Sequence, residues 1–400
     1  MKQKPRILQF LFLAILLSAN NPSHAQLFKK LKDKVNQALD RKTDNVVDNT
    51  VNNALDKNNN NTNTSSPNSS GSGSGIKAFK NYDFVPGDKI IFEDHLDTDE
   101  EGEFPSHWHL IQGQSTMNTY SNHKSILLTG RDTRIIPAIK TKSYLTDSFT
   151  VEFDTYSKED FRPVIRFYSS EDAVHGDDTE LASIILNDRF GNLRIVPKNS
   201  KNATVVPYPP ALSSTNYPNA WHHVAIAYKN NRLKVYVDSY RIVSIPDFEM
   251  KPMAISVQGD GKPEMPVIIS DFKLAQGAGI KTQETKFTDA KIVTHGINFD
   301  INKADIKPES MGTLNAIAAI LKSNPELKFE IQGHTDNTGN PASNLTLSQK
   351  RADEVMKQLI SLGIDATRLS SKGFGDTKPI SPNTSPEGKA NNRRVEFVRI

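Results

Sequence analysis

The stretch Gly333-His334-Thr335-Asp336-Asn337-Thr338-Gly339 decides the C-terminal fold, read together with Asn344-Leu345-Thr346-Leu347-Ser348-Gln349-Lys350-Arg351-Ala352 just after it. Leu327 to Ile331 reads as a strand that delivers this polar turn. From about Pro341 to Leu362, Ala352, Val355 and Leu359 recur at helical spacing, with Gly363 as a C-cap. Upstream, Ile292, Val293, Ile297 and Phe299 start the pattern, and Leu314, Ile317, Ala318 and Leu321 form a second helical stripe between Pro308 and Asn324-Pro325. Leu369 to Phe374 and Val395 to Ile400 supply two further strands. Residues 291–400 are therefore expected to form an α+β layer in the order βαβαββ.

These blocks, closed by Asn392-Arg393-Arg394-Val395-Glu396-Phe397, resemble in order and spacing the OmpA-like peptidoglycan-binding domain of OmpA proteins and peptidoglycan-associated lipoproteins. The resemblance covers about the last quarter of the chain. It implies non-covalent binding of peptidoglycan through diaminopimelate, a stem-peptide residue of Gram-negative walls whose side chain ends in an ammonium beside a carboxylate. The roles it carries over are the ammonium partner for Asp336, the carboxylate partner for Arg351 and a supporting polar role for Asn344. Arginine suits a carboxylate because its planar fork makes two parallel hydrogen bonds. Alone, an Asp in a glycine-rich turn is a turn former and a helical Arg a solvated charge; their joint placement carries the reading. Thr335, Ser348, Phe299, Asp300 and Arg393 are possible supporting residues, His334 is expected to hydrogen-bond the loop, and one of Arg393 and Arg394 is expected to pair with a core-edge acid.

The first residues read as an export signal: Lys2, Lys4 and Arg6, an apolar run from Ile7 to Leu17, and Ser23-His24-Ala25 as a cleavage site. The expected location is the periplasm, associated with the cell wall, with peripheral contact with the outer membrane left open. Three of the 49 Lys and Arg fall in that leader, so basic residues then match the 46 acidic ones and nothing draws the chain to nucleic acid. Cysteine is absent, which excludes disulfides, thiolate metal sites and the lipid-bearing cysteine of the lipoprotein branch.

Leu27, Leu31, Val35 and Leu39, continued by Val47, Val51 and Leu55, mark an amphipathic helical segment over 26–57, and an Asn/Ser/Gly-rich tether follows over 58–81. From 82 to 276 the texture changes to short alternating strands, such as Phe149, Val151 and Phe153 on one face with Thr150, Glu152 and Asp154 on the other. Trp221–Tyr228 and Leu233–Val237 read as a hairpin across Asn230-Asn231. This region is expected to be an all-β jelly-roll sandwich resembling laminin-G and concanavalin-like folds, joined by a linker over 277–290 to the last domain. Such sandwiches serve many functions, so a glycan or another envelope protein is a possible partner, and a glycan-binding adhesin or glycan-active enzyme is the alternative reading.

Other constellations are weaker. His107-Trp108-His109 and His222-His223 place adjacent residues on opposite strand faces, which disfavours chelation, and Asp97-Thr98-Asp99-Glu100-Glu101-Gly102 lacks the closing glutamate of a calcium loop. No metal and no cofactor are expected. Glu152 and Asp154 lack the second carboxylate of a glycosidase, and Tyr156, Tyr208 and Tyr217 could stack on sugars, although such residues more often pack loops. No catalytic residue is assigned and the chain is read as a non-enzyme.

Overall fold

The structure, a computed structural model, describes residues 82–400 except 142, 157–161, 171–179, 189, 199–201, 214 and 278–289. The expected leader, the stripe over 26–57 and the tether over 58–81 lie outside the described residues, as does most of the expected linker.

Runs rich in β-branched and aromatic residues, punctuated by turns, fold as strands. Those before residue 277 are β1 (Lys89–Asp94), β2 (Trp108–Gln112), β3 (Ser115–Tyr120), β4 (His123–Leu128), β5 (Thr133–Pro137), β6 (Ser148–Tyr156), β7 (Pro163–Tyr168), β8 (Glu180–Ile185), β9 (Asn192–Pro197), β10 (Thr204–Pro207), β11 (Trp221–Lys229), β12 (Arg232–Val237), β13 (Tyr240–Ile245), β14 (Ala254–Gly259) and β15 (Val267–Gln276). One sheet runs β13-β12-β11-β6-β15-β4-β3, with β1 also on β15; the other runs β10-β9-β8-β7-β14-β5-β2. The β11–β12 turn has positive φ at both Asn230 and Asn231, the conformation that suits a tight right-twisted hairpin. Phe149, Val151 and Phe153 of the first sheet and Ile165, Phe167 and Ile184 of the second share one apolar core. The two sheets are thus a sandwich.

Alternation along β6 leaves Thr150 and Glu152 on the other face, yet both are buried. Residues 82–86 and the C-terminal layer cover that face. Tyr82 and Phe84 pack on Tyr236, with ring centroids 5.4 and 5.3 Å away.

The C-terminal layer contains β16 (Lys291–Thr294), α1 (Met311–Ser323), β17 (Phe329–His334), α2 (Pro341–Ser361), β18 (Leu369–Gly375), α3 (Pro386–Asn392) and β19 (Arg394–Arg399). Its sheet runs β16-β19-β17-β18, with β17 and β18 parallel. Leu314, Ile317 and Leu321 from α1 and Ala352, Val355 and Leu359 from α2 pack on Phe329, Ile331 and Phe397. Asn340 caps α2, its side chain accepting from the backbone N–H groups of Ala342 and Ser343. The expected βαβαββ order is corrected by α3. This helix is too short for apolar periodicity, but Ser385 accepts from the Gly388 N–H and Pro386 opens its first turn, a start signal that was readable.

Gly333 and Gly373 lie opposite each other on β17 and β18, directly beneath α2. A Cβ at Gly333 would collide with the Ser348 backbone carbonyl, and one at Gly373 with the Gln349 backbone. The glycines let α2 settle onto the sheet edge, which fixes where the Asp336 turn and the helix meet. Gly333→Ala is expected to destabilise the chain by about 1–3 kcal/mol through overpacking against backbone. A urea titration followed by circular dichroism checks this, and an unchanged midpoint refutes it.

The sandwich and the C-terminal layer pack as one unit. The Asn391 side chain accepts from the Ile90 N–H (3.0 Å) and donates to the Ile90 carbonyl (2.9 Å), so α3 is clipped to β1. Ile90, Ala275 and Ala390 form a small apolar contact beside the clip. On the other side, Gly312 at the start of α1 lies against the Phe84 backbone with no room for a side chain.

Candidate ligand-binding site

Three segments converge beside the end of β17. Asp336 follows the strand in a turn whose backbone is tied to β18 by the Thr335 N–H donating to the Gly375 carbonyl (2.9 Å). One Asp336 oxygen accepts from the Thr338 N–H (2.8 Å) and the other from Arg393 Nη1 (2.6 Å). Burial opposes ionisation of Asp336, but these donors hold its carboxyl below the ordinary range.

Arg351 does not join that ion pair. Its Nε donates to the Lys303 carbonyl (2.9 Å) and an Nη to the Asp300 carbonyl (3.3 Å), and the guanidinium lies 4.8 Å from the Phe299 ring centroid. Burial and the like charge of Arg393 lower its pKa, while Asp336 acts the other way, so the three charges sense one another. Among the described residues no carboxylate neutralises Arg351. Asp300 engages it through its backbone, the carboxylate turning instead to Lys303 (3.0 Å).

Asn344 and Ser348 act behind the site. The buried Asn344 amide donates to the carbonyls of Asp336 (3.3 Å) and Thr338 (3.0 Å), fixing the turn. The fully buried Ser348 hydroxyl accepts from the Gly375 N–H (2.8 Å) and donates to the Leu345 carbonyl (2.9 Å). Thr335 is also buried, and its hydroxyl has no hydrogen-bond partner.

The expected hydrogen bond from His334 is a correction. Neither ring nitrogen has a partner, and the ring stacks on Phe374 with centroids 5.4 Å apart. Burial and the nearby Arg394 push its pKa down to about 4. The folded chain therefore keeps His334 neutral at pH values where the unfolded chain, with the ordinary value of 6.5, takes up a proton. Stability from this group is fully present above 6.5 and is lost as pH falls towards about 4. His334→Leu is expected to remove about 2–3 kcal/mol of the stability difference between neutral and mildly acidic pH. Urea midpoints of both chains across that range test it; parallel curves refute it.

The NRR block divides its labour. Asn392, wholly buried, accepts from the N–H groups of Ile380 and Ser381 and donates to the Ser381 carbonyl and Asn383 side chain, so it shapes the loop after β18. Arg394 is the expected pair with a core-edge acid, bonding Glu396 (2.6 Å). Arg393 sits at the C-terminal end of α3, just ahead of the last strand, and joins Asp336 to Glu93 of β1. Burial and Arg393 are opposed at Glu93: desolvation raises its pKa, and His95 and Arg393 bring it well below the usual carboxylate range.

Tyr208 and Tyr217 are buried, stacked on each other with centroids 5.4 Å apart, so they are core residues and not exposed sugar platforms. Glu152 pairs with Lys273 (3.1 Å), and His223 lies between Asp154 (2.7 Å) and Glu152 (3.7 Å). Although buried, Glu152 is held below its ordinary pKa by Lys273 and His223, the opposite of what a general acid needs. His107, without His109, lies near Asp94 and Asp99, and His123 lies near Asp154 and Asp271, with ligand atoms in each group within 4.8 Å. Asp94 is already engaged by the Leu96 N–H and Trp108 Nε1, and Asp154 and Asp271 by His223 and His95. Asp94, Asp154 and Asp271 therefore take part in hydrogen bonds and ion pairs within the sandwich. Among the described residues no helix is long and apolar enough to cross a membrane.

With this geometry in place, comparison with known proteins identifies the C-terminal part. Residues 298–393 match the OmpA family. The C-terminal layer is an OmpA-family domain. The probable lipoprotein YiaD of Escherichia coli is 38% identical over 123 residues, 31% of this chain and 56% of that protein. The peptidoglycan-binding protein ArfA of Mycobacterium tuberculosis is 40% identical over 107 residues, 26% of this chain and 33% of that one. The crystal structure of the peptidoglycan-associated lipoprotein from Burkholderia pseudomallei is 32% identical, covering 26% of this chain and 88% of that chain, with a TM-score of 0.25. The chain thus spans about half or less of the curated relatives, and each match covers at most about a third of this chain. The OmpA-family domain holds the Asp336 turn, Arg351 and Arg393.

Proposed function

We propose that the chain binds peptidoglycan non-covalently through the zwitterionic end of diaminopimelate and anchors an exported envelope protein to the cell wall. The observation that carries this reading is Arg351: a partly buried guanidinium oriented by neutral carbonyls and an aromatic face, with its charge left for a ligand carboxylate. Asp336 receives the ammonium beside it, Asn344 holds the turn from behind, and Phe299 borders the pocket. Membership of the OmpA family, and relatives named as peptidoglycan-binding, support the same conclusion. Each charge-assisted contact contributes about 1.5–3 kcal/mol, so one stem peptide is held modestly and retention comes from many stems on one polymer. No covalent step is needed. Residues 82–276, read as a concanavalin-like jelly roll, would be the part fastened to the wall from the periplasmic side.

The test is co-sedimentation of the full chain with purified walls. It is expected to pellet with diaminopimelate-containing wall, to be released by free diaminopimelate, and to bind lysine-type wall far less, because lysine lacks the side-chain carboxylate. Equal retention on both walls overturns the ligand assignment. Arg351→Ala is expected to weaken binding at least about tenfold, seen as a higher wall concentration for half-pelleting.

A further inference from the structure

We propose that Glu93 of the sandwich completes the anionic half of the wall-binding site, so that the site selects an ammonium next to a carboxylate over a carboxylate alone. The inference rests on the clasp by Asp336 and Arg351 proposed above.

The argument is one of charge. Within the OmpA-family domain, Asp336 faces Arg393 at 2.6 Å and has Arg351 nearby. One carboxylate against two guanidiniums leaves an excess of positive charge, which welcomes a plain carboxylate and repels an ammonium. Glu93 reverses this on one side of the pocket, because its carboxylate bonds the other Nη of Arg393. Two carboxylates now flank one guanidinium, an excess of one negative charge, while Arg351 stands apart with its positive charge. The pocket becomes a separated pair of opposite charges, matching a zwitterion. His95 on the far side of Glu93 (3.3 Å) does not cancel the effect, since Asp271 matches it at 2.7 Å. Lys273, which also acts on Glu93, is matched by Glu152.

The geometry is fixed by contacts independent of these charges. Asn391 clips Ile90 three residues before Glu93, and the small Ile90–Ala275–Ala390 contact lies beside it. The Glu93 side chain is only 10% exposed and lies within the domain contact, so its charge acts at short range with little solvent screening. Glu93 is a specificity-determining residue contributed by a different part of the chain from the rest of the site.

The experiment uses the full chain, its Glu93→Gln and Glu93→Asp variants, and two probes followed by ligand-detected NMR: meso-diaminopimelate, and pimelate, which has the same carbon chain and carboxylates but no amines. The wild type is expected to prefer diaminopimelate. Glu93→Gln is expected to lose about tenfold in diaminopimelate affinity with pimelate unchanged or tighter, and Glu93→Asp to recover part of the preference. An equal loss for both probes, no loss, or a Glu93→Asp variant indistinguishable from Glu93→Gln overturns the proposal. A wild type that binds neither probe overturns the clasp itself, and this inference with it.

Discussion

Replacing Asp336 by alanine is expected to abolish sedimentation with diaminopimelate-containing wall while leaving a folded chain. The carboxylate is the only acidic side chain in the turn between β17 and α2, and it is the group proposed to receive the ligand ammonium. Loss of one charge-assisted contact corresponds to about 1.5–3 kcal/mol, roughly 10- to 150-fold in affinity for a single stem, and multivalent retention multiplies that loss. The fold should tolerate the change because Arg393 keeps Glu93 as its partner and no buried cation is orphaned. Asn344 still ties the turn through backbone carbonyls. Half-pelleting concentrations and urea midpoints for both chains decide the matter. Wild-type sedimentation by a folded Asp336→Ala chain refutes the assignment; joint loss of binding and stability makes Asp336 a structural residue.

Arg394→Ala carries the second large effect, on stability. The Arg394 side chain is 2% exposed and bonds Glu396 (2.6 Å) as well as the carbonyls of Asn392 and Lys378. Desolvation raises the Glu396 pKa, and Lys291 and Arg394 together hold the group ionised. Truncating Arg394 leaves Glu396 with Lys291 alone and strands two carbonyls. Breaking a buried pair on one side costs about 3–5 kcal/mol, and the surviving Lys291 contact (2.8 Å) places the expected loss near about 3 kcal/mol. Because a buried pair is far less costly to replace than to halve, Arg394→Met with Glu396→Leu should recover most of that loss. A double variant as unstable as the single one argues against the electrostatic account, as does an Arg394→Ala chain with an unchanged unfolding midpoint.

The positions of the residues proposed to form the clasp were legible because local patterns place them. A strand ending in a polar turn positions Asp336, and apolar spacing over Ala352, Val355 and Leu359 sets the helix on which Arg351 rides. Their immediate partners were not legible. Arg351 takes carbonyls from residues 300 and 303, and no side-chain pattern advertises a carbonyl acceptor. Glu93 lies 300 positions from Arg393 on another part of the chain, and nothing along β1 distinguishes it from a solvated strand glutamate. Burial of Tyr208 and Tyr217 escaped for a related reason. Both sit in irregular segments, where alternation gives no inward or outward phase. The short helix α3 was missed although Ser385-Pro386 announced it, because seven residues with Ala390 as their one buried apolar side chain show no stripe.

The Asn391–Ile90 clip and the bare backbone contact between Gly312 and Phe84 have a mechanical consequence. They join the two parts of the described chain at separated points, through groups that do not give way like long side chains. If the proposed clasp holds a stretched wall, a pull on Arg351 and Asp336 would enter the sandwich at both of these points. The load would then be shared between them instead of travelling along a single length of polypeptide, as in a bracket rather than a rope.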